Sequence, residues 1–356
     1  MLTVTMAIRR LTPTPRAVDW GLFAAVAKLL GTGVATIFAG TPDSAWIIDV
    51  HALSGVLLVL LLPVKLRRVS HRVSPSRLTG IRVLSVGLAV VVLGALGTGV
   101  WWIFGGTLDL GPWGLFHLHV ALGLLVPPLL VVHLRSRFHS PTQATRGGRR
   151  DVLRYAGLVT AGALLWRVQG PVNDALDSAG ADRRYTGSRE DGTNNGNRFP
   201  VTSWVADNPE PVDGADWSLS VAGRVASETS YATDELSPDT TESAILDCTS
   251  GWYSGHEWQG VRVGDLLDAA DPDDAAAWVQ FRSVTGYRWS LPLSEARDAI
   301  LATHVDGERL AHGHGYPLRL VAPGRRGFQW VKWVESVRVS KRRELGEWLA
   351  IFVSGL

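Results

Sequence analysis

Leu246-Asp247-Cys248-Thr249-Ser250-Gly251-Trp252, continued by Trp258-Gln259-Gly260-Val261 and Asp265-Leu266-Leu267, is the stretch on which the reading of this chain turns. Cys248 is the one cysteine among 356 residues, so it forms no disulfide within the chain. It follows a short apolar run, Ala244-Ile245-Leu246, that reads as a strand, and a glycine-bearing turn comes next. A thiolate at the end of a strand, facing a turn, is placed to bind a soft metal or to act as a nucleophile. A buried, inert cysteine is the alternative that any lone Cys raises.

The residues around Cys248 resemble the molybdenum-cofactor domain of the sulfite oxidase family, closest to its periplasmic methionine-sulfoxide reductase catalytic subunits. The downstream segment carries the resemblance on: Val305-Asp306-Gly307, Leu310, His314-Gly315-Tyr316-Pro317-Leu318-Arg319-Leu320-Val321, Pro323-Gly324, Gly327-Phe328 and Val331-Lys332-Trp333-Val334. The similarity runs over roughly residues 199–348. It implies that Cys248 is the one protein sulfur on molybdenum, bound through a pterin. By motif position the family's pterin-binding Thr falls on Ser283, which keeps the hydroxyl. Its Asn falls on His314, a departure that still offers a hydrogen-bond donor. Arg319 matches the phosphate-contacting Arg, Lys332 adds a point charge, and Trp330 and Val331 offer backbone contacts. Upstream, Asn197 and Thr202 are candidates only. Trp252, Tyr253, His256 and Arg288 border the metal in relatives, whereas His304 and His312 carry no assignable role.

Outward from this stretch the chain divides. Charged residues make up 19% and the net charge is +2, too small to suggest nucleic-acid binding. Residues 1–170 hold long apolar runs, and the remainder is mixed and turn-rich. Four runs reach the roughly 20 apolar residues that cross a bilayer: Val18–Ala39, Ala45–Leu66, Val83–Phe104 and Trp113–Leu134. Lys28, inside the first, is expected to face the bundle or snorkel. No cleavable secretory signal is visible at the N-terminus. Arg9, Arg10 and Arg16 precede the first run. Arg67, Arg68, Arg72, Arg77 and Arg82 lie between the second and third, and Arg135, Arg137, Arg146, Arg149 and Arg150 follow the fourth. The other two loops have no Lys or Arg, so the N-terminus is expected in the cytoplasm.

The four runs form a duplication. Leu30-Gly31-Thr32-Gly33-Val34 recurs as Leu96-Gly97-Thr98-Gly99-Val100, and His51-x-x-x-Gly55 recurs as His119-x-x-x-Gly123. Two histidines at one depth on parallel helices are placed to ligate a haem iron from both faces, with Gly55 and Gly123 leaving room for the macrocycle. Interhelical hydrogen bonding is the rival account. The arrangement resembles membrane cytochrome b subunits, which implies haem b. His133 lies 14 residues beyond His119, about 21 Å along a helix, where a second haem iron would sit. Its repeat equivalent is Lys65, so one haem is the expectation. His117 lies on another face, and His71 falls in a loop.

Gly148-Arg149-Arg150-Asp151-Val152-Leu153 precedes a short, weakly apolar run, Tyr155–Trp166. It looks like an internal twin-arginine export motif opening a fifth crossing helix, with an ordinary positive flank as the alternative. The expected organisation is a cytochrome b-like all-α bundle (1–140), the motif and fifth helix (141–170), a solvated linker (171–198) and an extracytoplasmic α+β molybdopterin domain (199–356). Within the last, Trp217–Gly223, Trp278–Val284, Leu318–Val321 and Val334–Val339 read as strands, and Val261–Ala269 and Leu293–Ala302 as helices. The terminal run Trp348–Val353 is too short to span and packs on the domain or touches the membrane surface. Together these features imply a membrane-bound oxidoreductase exchanging electrons between an outer small-molecule or oxidised-protein substrate and quinone or quinol in the lipid bilayer. The twin-arginine translocation machinery is its expected export partner. A membrane-anchored binding or sensor protein with an empty cofactor domain is the rival.

Overall fold

The computed structural model describes residues 13–70, 79–111, 113–137, 148–204 and 207–355. Arg9, Arg10, His71, Arg72, Arg77 and Arg146 lie outside the described residues. The chain divides into two units between Gly187 and Ser188.

The first unit is built from long, apolar helices. Helix α1 (Pro15–Ala35) opens on Pro15, where a missing N–H costs nothing, and is capped by the Thr14 hydroxyl, which accepts from the Ala17 N–H. Helices α2 (Ala45–Val69), α3 (Gly80–Ile103) and α4 (Leu115–Arg137) follow. All four are long and apolar enough to cross a membrane. A two-strand turn, β1 (Asp109–Leu110) with β2 (Trp113–Gly114), joins α3 to α4. α1 packs chiefly on α2, and α3 on α4, so the sequence repeat is a repeat of hairpins. Lys28 lies on the exposed side of α1.

Helix α5 (Arg149–Ala175) is 27 residues long, longer than the apolar run suggested. Arg149, Arg150, Asp151, Arg154 and Arg167 make it too polar to count with the four apolar spans. Its first turn is pinned to the start of α1: the buried Asp151 carboxylate accepts from the Thr14 N–H (3.2 Å) and hydroxyl (2.8 Å), and the Tyr155 hydroxyl donates to the Ala17 carbonyl. Further along, Trp166 Nε1 donates to Asp49 on α2 (2.8 Å), and Gly162 faces Leu53 so closely that a Cβ there would lie 3.1 Å from it.

The second unit holds two sheets. One contains β3 (Arg189–Glu190), β6 (Thr240–Asp247), β7 (Trp252–Arg262), β10 (Ile300–Val305), β11 (Glu308–Arg309) and β12 (Arg319–Val321). The other runs β5 (Thr229–Ala232), β4 (Ser218–Gly223), β13 (Val334–Ser340), β8 (Trp278–Ser283), β9 (Arg288–Pro292). Three short helices complete it: α6 (Val263–Ala270), α7 (Leu293–Asp298) and α8 (Glu347–Val353). Two findings differ from the sequence reading. The helix expected over Leu293–Ala302 stops at Asp298, and Ile300-Leu301-Ala302 open β10, whose first four residues are all buried. A strand covered on both faces loses the alternation that distinguishes it from a helix. Of the stretch read as a solvated linker, residues up to Ala175 continue α5. Arg189–Glu190 pair with β7, and Ser188 and Arg189 are buried.

Candidate functional site

β6 and β7 form an antiparallel hairpin, Asp247 opposite Tyr253, and Cys248 begins the turn between them. The Cys248 N–H donates to the Trp252 carbonyl (2.9 Å) and the Gly251 N–H to the Cys248 carbonyl (3.2 Å). Gly251 sits at φ 94°, a conformation that glycine adopts without steric cost. The sulfur is buried and accepts from the Ser250 N–H at 3.5 Å.

The backbone that carries it is clamped from behind. Arg326, itself buried, donates through Nη1 to Asp247 Oδ1 (2.7 Å) and through Nη2 to the Cys248 carbonyl (3.1 Å). The Ser188 hydroxyl donates to the same Asp247 oxygen (2.7 Å). Gly327 follows so tightly that a Cβ there would lie 3.1 Å from Cys248 Cα.

Around the sulfur stand the cations. The Arg319 guanidinium lies over the rings of Trp258 (5.5 Å) and Trp330 (6.0 Å), and its Nη1 donates to the His314 carbonyl (2.8 Å). Its Nε is buried with no partner. Burial pulls Arg319 down to about 10. Lys332 Nζ donates to Ser203 Oγ (2.7 Å) and the Gly313 carbonyl (3.0 Å), and burial together with Arg319 pulls it down to about 7. Cys248 lies close enough to favour the charge on both. Asp207 also favours Lys332, but burial pushes its own carboxyl upward. Among the described residues neither cation makes an ion pair. A buried and a half-buried cation, whose charge is opposed by desolvation and, for Lys332, by its neighbour, form a site that fits an anion.

Ser283, at the end of β8, faces Thr285 (3.0 Å between hydroxyl oxygens), which in turn bonds Asp207. His314 is held at about 4 by burial and by Arg319, so it is neutral. Its Nε2–H donates to the Phe199 carbonyl (2.9 Å), leaving Nδ1 buried without a partner. The donor expected at this position is therefore spent, and an acceptor lone pair remains. Val331 gives its carbonyl to the Leu320 N–H (2.8 Å), and Trp330 its own N–H to Gly327 (3.1 Å). The structure thus gathers Cys248, His314, Arg319, Trp330 and Lys332. It does not gather Asn197, whose side chain is spent on Glu308, Arg309 and Ala311. Arg288 binds Glu344 and Gly346, His304 bonds Thr303, and His312 bonds Pro209. Thr202 accepts from Trp252 Nε1 (3.1 Å). His256, on the buried side of β7, donates through Nδ1 to Asp306 (2.7 Å), and its Nε2 is buried without a partner. Burial, with Arg319, lowers its pKa although Asp306 acts to raise it.

Comparison with known proteins decides the class. Residues 206–348 match the oxidoreductase molybdopterin binding domain. An uncharacterized oxidoreductase of Bacillus subtilis, YuiH, is 30% identical over 155 residues, 42% of this chain and 78% of that protein. The chain belongs to the molybdopterin-binding oxidoreductase family. The protein-methionine-sulfoxide reductase catalytic subunit MsrP of Gluconobacter oxydans is 30% identical over 166 residues, 40% of this chain and 52% of MsrP. Mouse mitochondrial sulfite oxidase is 33% identical over 115 residues, 29% of this chain and 21% of the relative. The chain spans about half the length of that MsrP and about a fifth of the sulfite oxidase. As a member of this family it is an oxidoreductase, with a domain that takes a molybdenum cofactor.

The first unit brings two sequence-predicted residues together. The rings of His51 and His119 are 6.3 Å apart between centroids. That separation accommodates two metal–imidazole bonds of about 2.0 Å each plus the two half-rings. The Thr32 hydroxyl donates to the Lys28 carbonyl (2.6 Å), so at 3.0 Å it accepts from His51 Nδ1–H. Ala95 accepts from His119 Nδ1–H at 2.9 Å, while the Thr98 hydroxyl, 3.3 Å from that nitrogen, points to Gly94. Both Nε2 atoms are left with lone pairs, the tautomer that metal ligation requires. The repeat glycines crowd the rings: a Cβ at Gly33 or Gly99 would lie 3.5 or 3.0 Å from a histidine Cε1. Gly123 faces open space. His117 accepts from the Gly114 N–H (3.1 Å) and packs edge-on against Trp113. Lower in the bundle the repeat diverges. Ser85 lies 3.1 Å from His133, whereas its counterpart Asp19 forms ion pairs with Lys65 (2.7 Å) and Arg68 (2.6 Å).

Proposed function

We propose that the chain is a membrane-bound molybdenum enzyme that exchanges electrons between a substrate outside the cell membrane and quinone or quinol in the bilayer, through one b-type haem. The observation that carries the reading is the pair of cations, the buried Arg319 and the half-buried Lys332, neither in an ion pair among the described residues, beside a buried lone thiol. A pterin phosphate supplies the anion, and Cys248 supplies the soft ligand for molybdenum. The bound cofactor contributes the two-electron, oxygen-atom chemistry; the protein positions it. Arg319 and Lys332 hold the phosphate, Trp258 and Trp330 keep water from Arg319, and Asp247 with Arg326 fixes the backbone of Cys248. Ser283, His314, Trp330 and Val331 are proposed cofactor contacts, the last two through backbone.

His51 and His119 are the proposed axial ligands of haem b, their Nδ1–H donors held by Thr32 and Ala95. Asp19, Lys65 and Arg68 occupy the level at which His133 would need a facing histidine, so one haem is proposed and not two. The arginines between and after the hairpins support a cytoplasmic N-terminus and an extracytoplasmic second unit. On that reading α5, about 40 Å long, is the fifth crossing, and Arg149-Arg150 the export signal for a domain folded around its cofactor. MsrP and sulfite oxidase are named for reactions at sulfur, which favours a sulfur-centred oxo donor or acceptor as substrate.

Metal analysis of the purified chain tests both cofactors. Molybdenum and haem iron each near one per chain support the reading. No molybdenum after expression in molybdenum-replete cells supports the rival of a membrane-anchored binding or sensor protein.

A further inference from the structure

Helix α8 turns an apolar side outward. Leu345 is 83% exposed, Leu349 66% and Phe352 78%, with Val353 and Trp348 beside them. The helix is not loose. Its buried Glu347 accepts from the Ser290 N–H (2.9 Å) and from Arg343 (2.6 Å), Trp348 packs edge-on against Trp289 (4.8 Å), and Ala350 is buried. The outward residues are therefore held in place, not left over from a frayed end.

Immediately before this helix the chain lines a concavity of about 460 Å³ on the face of β8 and β13, with Arg282, Arg338 and Arg342 among serine hydroxyls. Among the described residues none of these three arginines makes an ion pair. The carboxylate in the groove, Glu344, is already bound by Arg288 (3.0 and 3.1 Å) and Gln280, and Glu335 feels the charge of Arg282. An unneutralised basic groove and a fixed apolar ridge thus meet at residues 342–345.

We propose that this composite face docks on the bilayer surface, the arginines on anionic phospholipid headgroups and Leu345, Leu349 and Phe352 in the boundary beneath them. A rigid apolar ridge bordered by Arg is what an interfacial segment needs, and charge complementarity commits it to an anionic headgroup. The same chain supplies the surface: 12 residues, 176–187, lie between the end of α5 and the second unit. The inference rests on the proposal that the first unit crosses a membrane.

The test uses the full chain in lipid nanodiscs. A fluorophore is placed by Phe352→Cys, with Cys248 buried and unlabelled, and a control fluorophore by Ser237→Cys outside the face. In discs rich in phosphatidylglycerol, lipids spin-labelled at the headgroup should quench position 352 several-fold more than position 237. High salt, neutral phosphatidylcholine discs, or Arg282→Gln with Arg338→Gln and Arg342→Gln should each bring 352 down to the control. Equal quenching at the two positions in anionic discs overturns the proposal. So does quenching at 352 that ignores salt and lipid charge, or that appears only in discs holding two chains, which would make a second copy the occupant. A chain that leaves the disc fraction altogether refutes the membrane reading itself, a result distinct from an integrated chain with an unquenched probe.

Discussion

Asp247→Asn takes one charge from a buried pair and removes the carboxylate that Arg326 binds directly behind Cys248. Both side chains are about 95% withdrawn from water, at 5% and 4% exposure, so solvent cannot take over the role of the carboxylate. Breaking a pair of this kind costs about 3–5 kcal/mol, whereas replacing both partners with apolar groups of similar volume is often neutral or better. For a unit of this size each kcal/mol moves the unfolding midpoint by about 2–4 °C, so a fall of roughly 6–20 °C is expected. Fluorescence of the buried Trp258 and Trp330 reports the second unit during thermal unfolding of the detergent-solubilised chain. The double variant Asp247→Leu with Arg326→Met closes the cycle and should recover most of the loss, because no charge is then stranded. A single variant within 2 °C (about 1 kcal/mol) of the parent would refute the reasoning. So would a double variant less stable than the sum of the two singles.

Cys248→Ser should lose most redox activity while keeping the pterin, since Arg319 and Lys332 still hold the phosphate; full activity with any acceptor dismisses Cys248 as the metal ligand. His51→Ala and His119→Ala should each abolish the low-spin haem spectrum in reduced-minus-oxidised difference spectra of membranes, whereas His117→Ala leaves it nearly intact. Without its cofactor the chain should become more stable as pH rises from about 7 towards the usual lysine value. Burial lowers Lys332 in the folded state, so across that window the unfolded chain holds the extra proton; Lys332→Met should flatten this slope in a midpoint-versus-pH series. Arg149→Lys with Arg150→Lys keeps both charges yet should strand the second unit inside, read by protease access in spheroplasts. Normal exposure would reduce the pair to a positive flank.

The apolar helices were legible because runs of about 20 apolar residues form a composition that little else produces. The histidine pair was legible because the hairpin repeats. What the repeat did not reveal was the use of its own middle residues: Thr32 and Thr98 lie beside the imidazole Nδ1 atoms, and Gly33 and Gly99 admit the rings. The signal was present in Leu-Gly-Thr-Gly-Val and went unread because the partner is 19 or 21 residues away. Strand β7 escaped notice for a different reason. Ser254, His256 and Trp258 alternate inward, but Gly255 and Gly260 interrupt the β-branched pattern expected of a strand. Arg326 left no trace at all, because its meaning depends on Asp247, 79 positions earlier and adjacent only once the sheet has formed.

His51 is the seventh residue of α2 and His119 the fifth of α4, so their rings lie only about 6–9 Å of helix from the start of each. On the proposed crossing, a charge that comes to rest between them would have entered roughly a quarter of a 30 Å hydrocarbon layer. Moving one elementary charge across the whole layer costs about 2.3 kcal/mol per 100 mV, so the step to this depth costs only about 0.6. On the proposed orientation, and with the proposed haem, electron exchange between the outer face and these rings would be nearly indifferent to the voltage across the membrane. Whatever electrogenic work the proposed turnover performs would then fall to the other half of the bundle, where Asp19, Lys65 and Arg68 stand.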